Sequence, residues 1–301
     1  MTHFFGLIVL LGVLAIVVYS FGAPLFDKLR ISPLNLSVRI ASSTQYYSNR
    51  IIATSPPVQA PTANQPPQNT QPAIDQRNIP AGFTARDLSP YFGKVRFGSV
   101  SPGYSGSYSQ VSLYAYMKEG ESVNITGWLM KGNKGTRYVP QAVAVYDPSG
   151  LASETDIFLK SGETVNIYST TSAIGKNLRL NKCVGYLENA SRFTPSLYVS
   201  CPYVDRSEIQ YLSGECQNYI LSLGGCKLPD ANPNIPMYDY ACRAYLDILN
   251  YRGCFDRHSN DPDFSSKEWR VWIGSGQFLD SLHDRVLLFD RQGLLVDERT
   301  Y

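Results

Sequence analysis

Val111-Ser112-Leu113-Tyr114-Ala115-Tyr116-Met117 is followed by Glu119-Gly120-Glu121-Ser122 and then Val123-Asn124-Ile125-Thr126-Gly127-Trp128-Leu129-Met130. Both long runs alternate apolar and polar residues, and the short one between them is turn-like. A period of two sends successive side chains to opposite faces, so each run reads as a half-buried strand. Upstream, Lys94-Val95-Arg96-Phe97-Gly98-Ser99-Val100 alternates until Ser101-Pro102-Gly103 breaks it. Downstream, Lys131-Gly132-Asn133-Lys134-Gly135 turns, and Ala142–Tyr146 and Glu163–Tyr168 read as further strands. Strands return in Trp269–Gly274, with Trp269, Val271 and Ile273 on one face, and in Arg285–Asp290 and Leu294–Glu298. The last two are joined by Asp290-Arg291-Gln292-Gly293, where Gly supplies a positive φ. Short strands at this spacing predict a mainly β sandwich or barrel.

Between these strand regions the pattern changes. Ser207-Glu208-Ile209-Gln210 predicts a capping box with Ser207 as N-cap, and Ile209, Leu212, Cys216, Tyr219 and Ile220 fall on one helical face before Gly224-Gly225. A second helix is predicted from about Tyr238 to Tyr251, with Tyr238, Cys242, Tyr245 and Leu249 on one side and Gly253 as C-cap. The six cysteines, Cys183, Cys201, Cys216, Cys226, Cys242 and Cys254, all lie in this region. An even, clustered set predicts disulfides and an oxidising compartment, with the pairing left open. None of them shows the close paired spacing of structural zinc sites, so no metal is expected.

The chain has 301 residues, and Lys+Arg 27 against Asp+Glu 25 leaves a net charge of +2. No global field draws it to nucleic acid, which is not an expected partner. Phe4 to Gly22 is an uncharged apolar run, as a helix roughly 28 Å long, so residues 4–22 are expected to cross a lipid bilayer. Ser20 and Gly22 leave cleavage as a signal peptide as the alternative. Lys28 and Arg30 favour a cytoplasmic C-terminal part, whereas the cysteines favour an extracytoplasmic one; two flanking charges are the weaker signal. The organisation expected is an anchor over 1–22, a juxtamembrane segment over 23–53, a Pro-rich linker over 54–86 and a β domain over 87–301. The linker's Pro, Gln, Asn and Thr suit a semi-stiff spacer reaching roughly 75 Å.

Val123–Leu129 resembles the "L-T-G-W-x-L" strand of lamin-tail domains, and Asp284–Glu298 is similar to their terminal "D-x-V-x-L-x-D-x-x-G-x-x-V-D" hairpin. Gly162–Val165 resembles the segment between them. Gly127, Trp128, Asp284, Asp290, Gly293 and Asp297 are the positions that carry the motif. The resemblance implies an immunoglobulin-like β-sandwich, interrupted here by a Cys-rich helical insertion over 170–268 that the family pattern lacks. Bacterial members are associated with exported or membrane-attached proteins, which implies a binding or attachment role, not catalysis.

Few constellations suggest chemistry. Asp256, His258, Asp261 and Asp263 stand close together but lack the Gly and bidentate Glu of a calcium loop. His283-Asp284-Arg285 has no G-x-S-x-G motif to complete a hydrolase. Tyr104, Tyr108, Tyr114 and Tyr116 offer an aromatic platform for a glycan or protein, with Tyr114 and Tyr116 on one strand face. Lys131, Lys134 and Arg137 form only a small basic patch. No catalytic residue and no cofactor is assigned. The expected function is a membrane-anchored extracytoplasmic binding module of the cell envelope, its partner a protein or glycan at the cell surface. The alternatives are a cell-wall hydrolase around Asp256, His258 or His283, and a self-associating structural envelope protein.

Overall fold

The protein is described by a computed structural model that covers residues 78–104, 107–198 and 200–301. The predicted span over 4–22, the juxtamembrane segment and residues 54–77 of the Pro-rich linker lie outside the described residues. Among the described residues, no helix is long and apolar enough to cross a membrane.

The fold is mainly β. Strands β1 (Val95–Ser101), β2 (Gln110–Ala115), β7 (Thr164–Tyr168), β9 (Ser265–Trp272) and β8 (Leu178–Asn181) form one sheet in that spatial order. A second sheet runs β11 (Leu295–Thr300), β10 (Arg285–Phe289), β4 (Leu129–Gly132) and β5 (Gly135–Tyr138). A ribbon pairs β3 (Ser122–Asn124) with β6 (Phe158–Lys160). The inward residues of all three, among them Val95, Leu113, Val165, Val271, Met130, Leu288 and Leu159, share one core around Trp128.

The expected single strand over 123–130 is two strands. Gly127 adopts φ 79° and the Trp128 N–H bonds back to the Ile125 carbonyl at 3.1 Å, so the chain turns between β3 and β4. Ala142–Tyr146 makes only isolated bridges, Ala142 to Thr155 and Val143 to Leu178, rather than a strand. The domain also begins before residue 87, because Phe83 packs on Phe289 with ring centroids 6.2 Å apart.

The region over 170–268 is more than a helical hairpin appended to a sheet. It supplies β8, the first residues of β9, and four helices: α1 (Val184–Ser191), α2 (Gly214–Leu223), α3 (Tyr240–Asp247) and α4 (Tyr251–His258). β7 and β9 run parallel, in register Val165 to Trp269 and Ile167 to Val271. Parallel neighbours need a long crossover, and this region is that crossover. Ser207 is not an N-cap: Asp205 caps a short 3-10 turn over Arg206–Ile209, and α2 starts later with Ser213 as its cap. The expected second helix is two helices, α3 and α4. Gly253 lies inside α4, where a Cβ would sit 1.9 Å from the Ile248 carbonyl oxygen, so it serves close approach and not helix termination.

The helix starts explain how the cysteines meet. Ser213 Oγ accepts from the Cys216 N–H at 3.3 Å, and Asp239 Oδ1 accepts from the Cys242 N–H at 3.1 Å. The two caps bond to each other, Ser213 Oγ donating to Asp239 Oδ2 at 2.7 Å, so α2 and α3 begin side by side and Cys216 bonds Cys242. Cys183 pairs with Cys254 and Cys201 with Cys226, leaving no free cysteine among the described residues.

Three acids of the β10–β11 hairpin fasten it to distant segments. Asp284 accepts from the Asn133 N–H at 2.9 Å and the Asp280 N–H at 2.8 Å. Gly132 makes room for it: a Cβ there would lie 2.4 Å from the Phe278 carbonyl oxygen. Asp290 accepts from the Gln292 and Leu294 N–H groups at 2.9 Å each and from Ser89 Oγ at 2.6 Å. Asp297 accepts from the Phe97 N–H at 2.7 Å, tying β11 to β1 and so one sheet to the other.

Two stability measurements follow. Removing the Cys183–Cys254 bridge by double substitution to Ser, a loop of 71 residues, is expected to lower the unfolding free energy by about 4 kcal/mol. Removing Cys216–Cys242, a loop of 26, should cost about 3.5 kcal/mol in the same denaturant titration. A smaller loss for the longer loop would contradict the chain-entropy account. Asp284→Ala, which removes the acceptor of two part-buried N–H groups, is expected to cost about 1–3 kcal/mol, whereas Asp284→Asn should recover part of that loss.

Candidate functional site

The outer face of the five-stranded sheet is divided in two. At one end Tyr168, Trp272, Leu178 and Leu180 join Val184, Phe193 and Leu197 in a second core that seats the Cys-rich region on the sheet. The Trp272 indole N–H donates to the Thr194 carbonyl at 2.9 Å, and Asn181 Nδ2 donates to the Tyr251 hydroxyl at 3.0 Å. Helices α2 and α3 keep a third core of their own around Cys216 and Cys242.

The Cys-rich region does not cover the other end. Tyr114 and Tyr116 share one face of their chain segment, as the period of two requires, and are 37% and 63% exposed. Tyr114 lies against Gly98, where a Cβ would meet its ring at 2.0 Å, so the glycine admits the aromatic ring across the sheet. The Arg96 guanidinium stands 5.9 Å from the Tyr116 ring centroid. Next to Tyr114 come Thr164 and Asn166 of β7 and then Glu268 and Arg270 of β9, by strand register. Asn166 Nδ2 donates to Glu268 Oε1, Glu268 pairs with Arg270 at 2.7 Å, and Arg270 donates to the Tyr168 hydroxyl. Burial pushes the Tyr168 phenol up to about 12 despite the neighbouring guanidinium. This surface presents the Tyr114 and Tyr116 rings with the guanidinium groups of Arg96 and Arg270.

Of the other aromatics anticipated for a platform, Tyr104 is exposed, whereas Tyr108 packs edge-on against Tyr168 at 5.7 Å. Trp128 is in the core, 2% exposed.

The Asp256, His258, Asp261, Asp263 group converges in part, on Lys182, a residue distant in the chain. Lys182 Nζ lies 2.9 Å from Asp261 and 2.6 Å from Asp263, filling the place a cation would take. His258 Nδ1 bonds Asp261 at 3.0 Å, and Asp256 faces Arg252 on the exposed side of α4. Hydrogen bonds from Lys182 are the main cause that holds both Asp261 and Asp263 below the usual carboxylate range. Among the described residues no group of three or more His, Cys, Asp or Glu is placed to hold a metal.

His283 bonds the Tyr301 carbonyl at 2.8 Å, and neither described histidine has a Ser, Thr or Cys hydrogen-bond partner. In the basic patch, Lys134 pairs with Asp280 at 3.6 Å and Arg137 donates to the Gly276 carbonyl at 3.2 Å. Lys182, Asp156 and Arg291 escaped sequence reading because their partners lie far away in the chain. Arg291 donates to the Thr126 carbonyl and to Asp156, against the open side of Gly127.

Comparison with protein-family models and with curated proteins yields no match to this chain.

Asp156 gives a pH test. Hydrogen bonds from Gln141, Asn124 and Arg291 lower its carboxyl from 3.8 to about 2. A folded-state value below the unfolded one stabilises the fold above the unfolded value, and that stability is lost as the pH falls. Its contribution is therefore complete above 3.8 and disappears towards about 2. Asp156→Asn is expected to flatten the acid limb of the unfolding profile in that window; an unchanged limb would exclude this network as its source.

Proposed function

We propose that this chain is a membrane-attached, extracytoplasmic binding or attachment module of the cell envelope. In this reading the two sheets form an immunoglobulin-like sandwich of lamin-tail type, held to the bilayer through residues 4–22 and displayed on the Pro-rich spacer. The ligand surface is the open, tyrosine-bearing end of the five-stranded sheet.

The observation that carries the reading is the complete pairing of the six cysteines, since three disulfides in one region belong to an oxidising compartment. The surface chemistry agrees with it. Tyr114, Tyr116 and Arg96 are exposed side chains on a strand scaffold. Rigid aromatics beside hydrogen-bonding groups give contact area at low entropic cost.

Whole-cell thiol mapping with external protease tests the proposal. The expected outcome is no thiol labelling without a reductant, together with loss of the 78–301 portion to added protease. Thiols that label without reduction, in a protein that protease reaches only after lysis, would overturn it.

A further inference from the structure

Arg96 and Tyr116 also line a groove of about 830 Å3 that takes in Lys94, Asp297, Glu298 and Arg299. The groove lies where β1, the edge of one sheet, approaches β11, the edge of the other. Its three cations outnumber its two acids. Lys94, Arg96 and Arg299 are exposed, and none of the three makes an ion pair with another described residue. The two acids are already engaged: Glu298 holds Arg285 at 2.5 Å, and Asp297 holds the Phe97 N–H. The groove therefore presents three cations around an exposed tyrosine ring.

The backbone narrows the choice of anion. An extended acidic peptide would gain most by adding a strand to β1 or β11. Those edges are largely in use: the Phe97 N–H is held by Asp297, and the Leu295 and Val296 carbonyls accept from the Ser89 and Gly93 N–H groups at 2.8 Å and 3.2 Å. What remains is side-chain charge and the Tyr116 ring, one side of which faces the Arg96 guanidinium. That combination fits a ligand with carboxylates on rings that have a weakly apolar C–H face.

We propose that this groove binds an acidic polysaccharide, its uronate carboxylates on Lys94, Arg96 and Arg299 and a sugar face on Tyr116. The inference deepens the attachment role proposed above, and rests on it for its biological setting.

The test uses the full chain in detergent micelles, titrated with polygalacturonate, with neutral dextran and with polyglutamate. Polygalacturonate is expected to bind in preference to both. An exposed charge contact is worth up to about 1 kcal/mol, roughly fivefold, so the triple variant Lys94→Gln, Arg96→Gln, Arg299→Gln should weaken binding by about tenfold or more. Tyr116→Leu should weaken polygalacturonate binding alone, by about two- to fivefold, and the unfolding midpoint of each variant verifies that the fold persists. No binding to polygalacturonate, an unaffected triple variant, or equal binding of polyglutamate with no effect at Tyr116 would each overturn the proposal. Absent binding in a protein that thiol mapping places outside the cell refutes the groove alone. Retained binding in a protein with free cytosolic thiols refutes the attachment reading alone.

Discussion

A carboxylate closed off from water is tolerated only where hydrogen-bond donors replace the water it has lost. Asp284 and Asp290, 0% and 4% exposed, meet that condition, and the whole β arrangement depends on it. The donors they take come from the β4–β5 turn, from the loop before β10 and from Ser89. Asp297 adds the Phe97 N–H of the opposite sheet. Charged acceptors form stronger hydrogen bonds than neutral ones, and here they replace a continuous ladder where two sheets meet edge to edge. The hairpin is thus a clasp, and the shared core around Trp128 can fill only once it is in place.

The Cys-rich region solves a second problem. A parallel pair, β7 and β9, obliges the chain to leave the sheet and come back, and a long excursion loses entropy on ordering. Three disulfides shrink that loss, and the aromatic contact of Tyr168 and Trp272 with Phe193 seats the excursion on the sheet. Since it covers only one end of the outer face, Tyr114 and Tyr116 are left accessible. The candidate surface is defined as much by what the excursion does not cover as by the strands that carry it.

Much of this was legible in the chain. Strict alternation located β1, β2, β7, β9 and the β10–β11 hairpin, because a period of two survives wherever one face is buried. Cysteine number and clustering indicated the bridges, though not who pairs with whom; the Cys216–Cys242 pairing, for one, depends on Ser213 and Asp239 capping neighbouring helices. The splits went unseen for local reasons. Gly127 turns at a positive φ inside what reads as one strand, and Gly253 reads as a terminator while serving close packing. The short strands β5, β6 and β8 offer too few residues for a period. Lys182 between Asp261 and Asp263 was illegible because its partners lie about eighty positions away, and only the fold brings them within reach.

The place of β9 between β7 and β8 has a consequence for biogenesis. A ribosome delivers the chain N-terminus first, so β1, β2 and β7 emerge without β9, and β4 emerges without β10. At about 5–20 residues per second, the interval between finishing β7 and starting β9 lasts roughly 5–20 s. Throughout it Leu113, Val165 and Ile167 present an unfinished apolar surface. Until the final hairpin is released the strands that complete this core are missing, and the nascent polypeptide is open to aggregation.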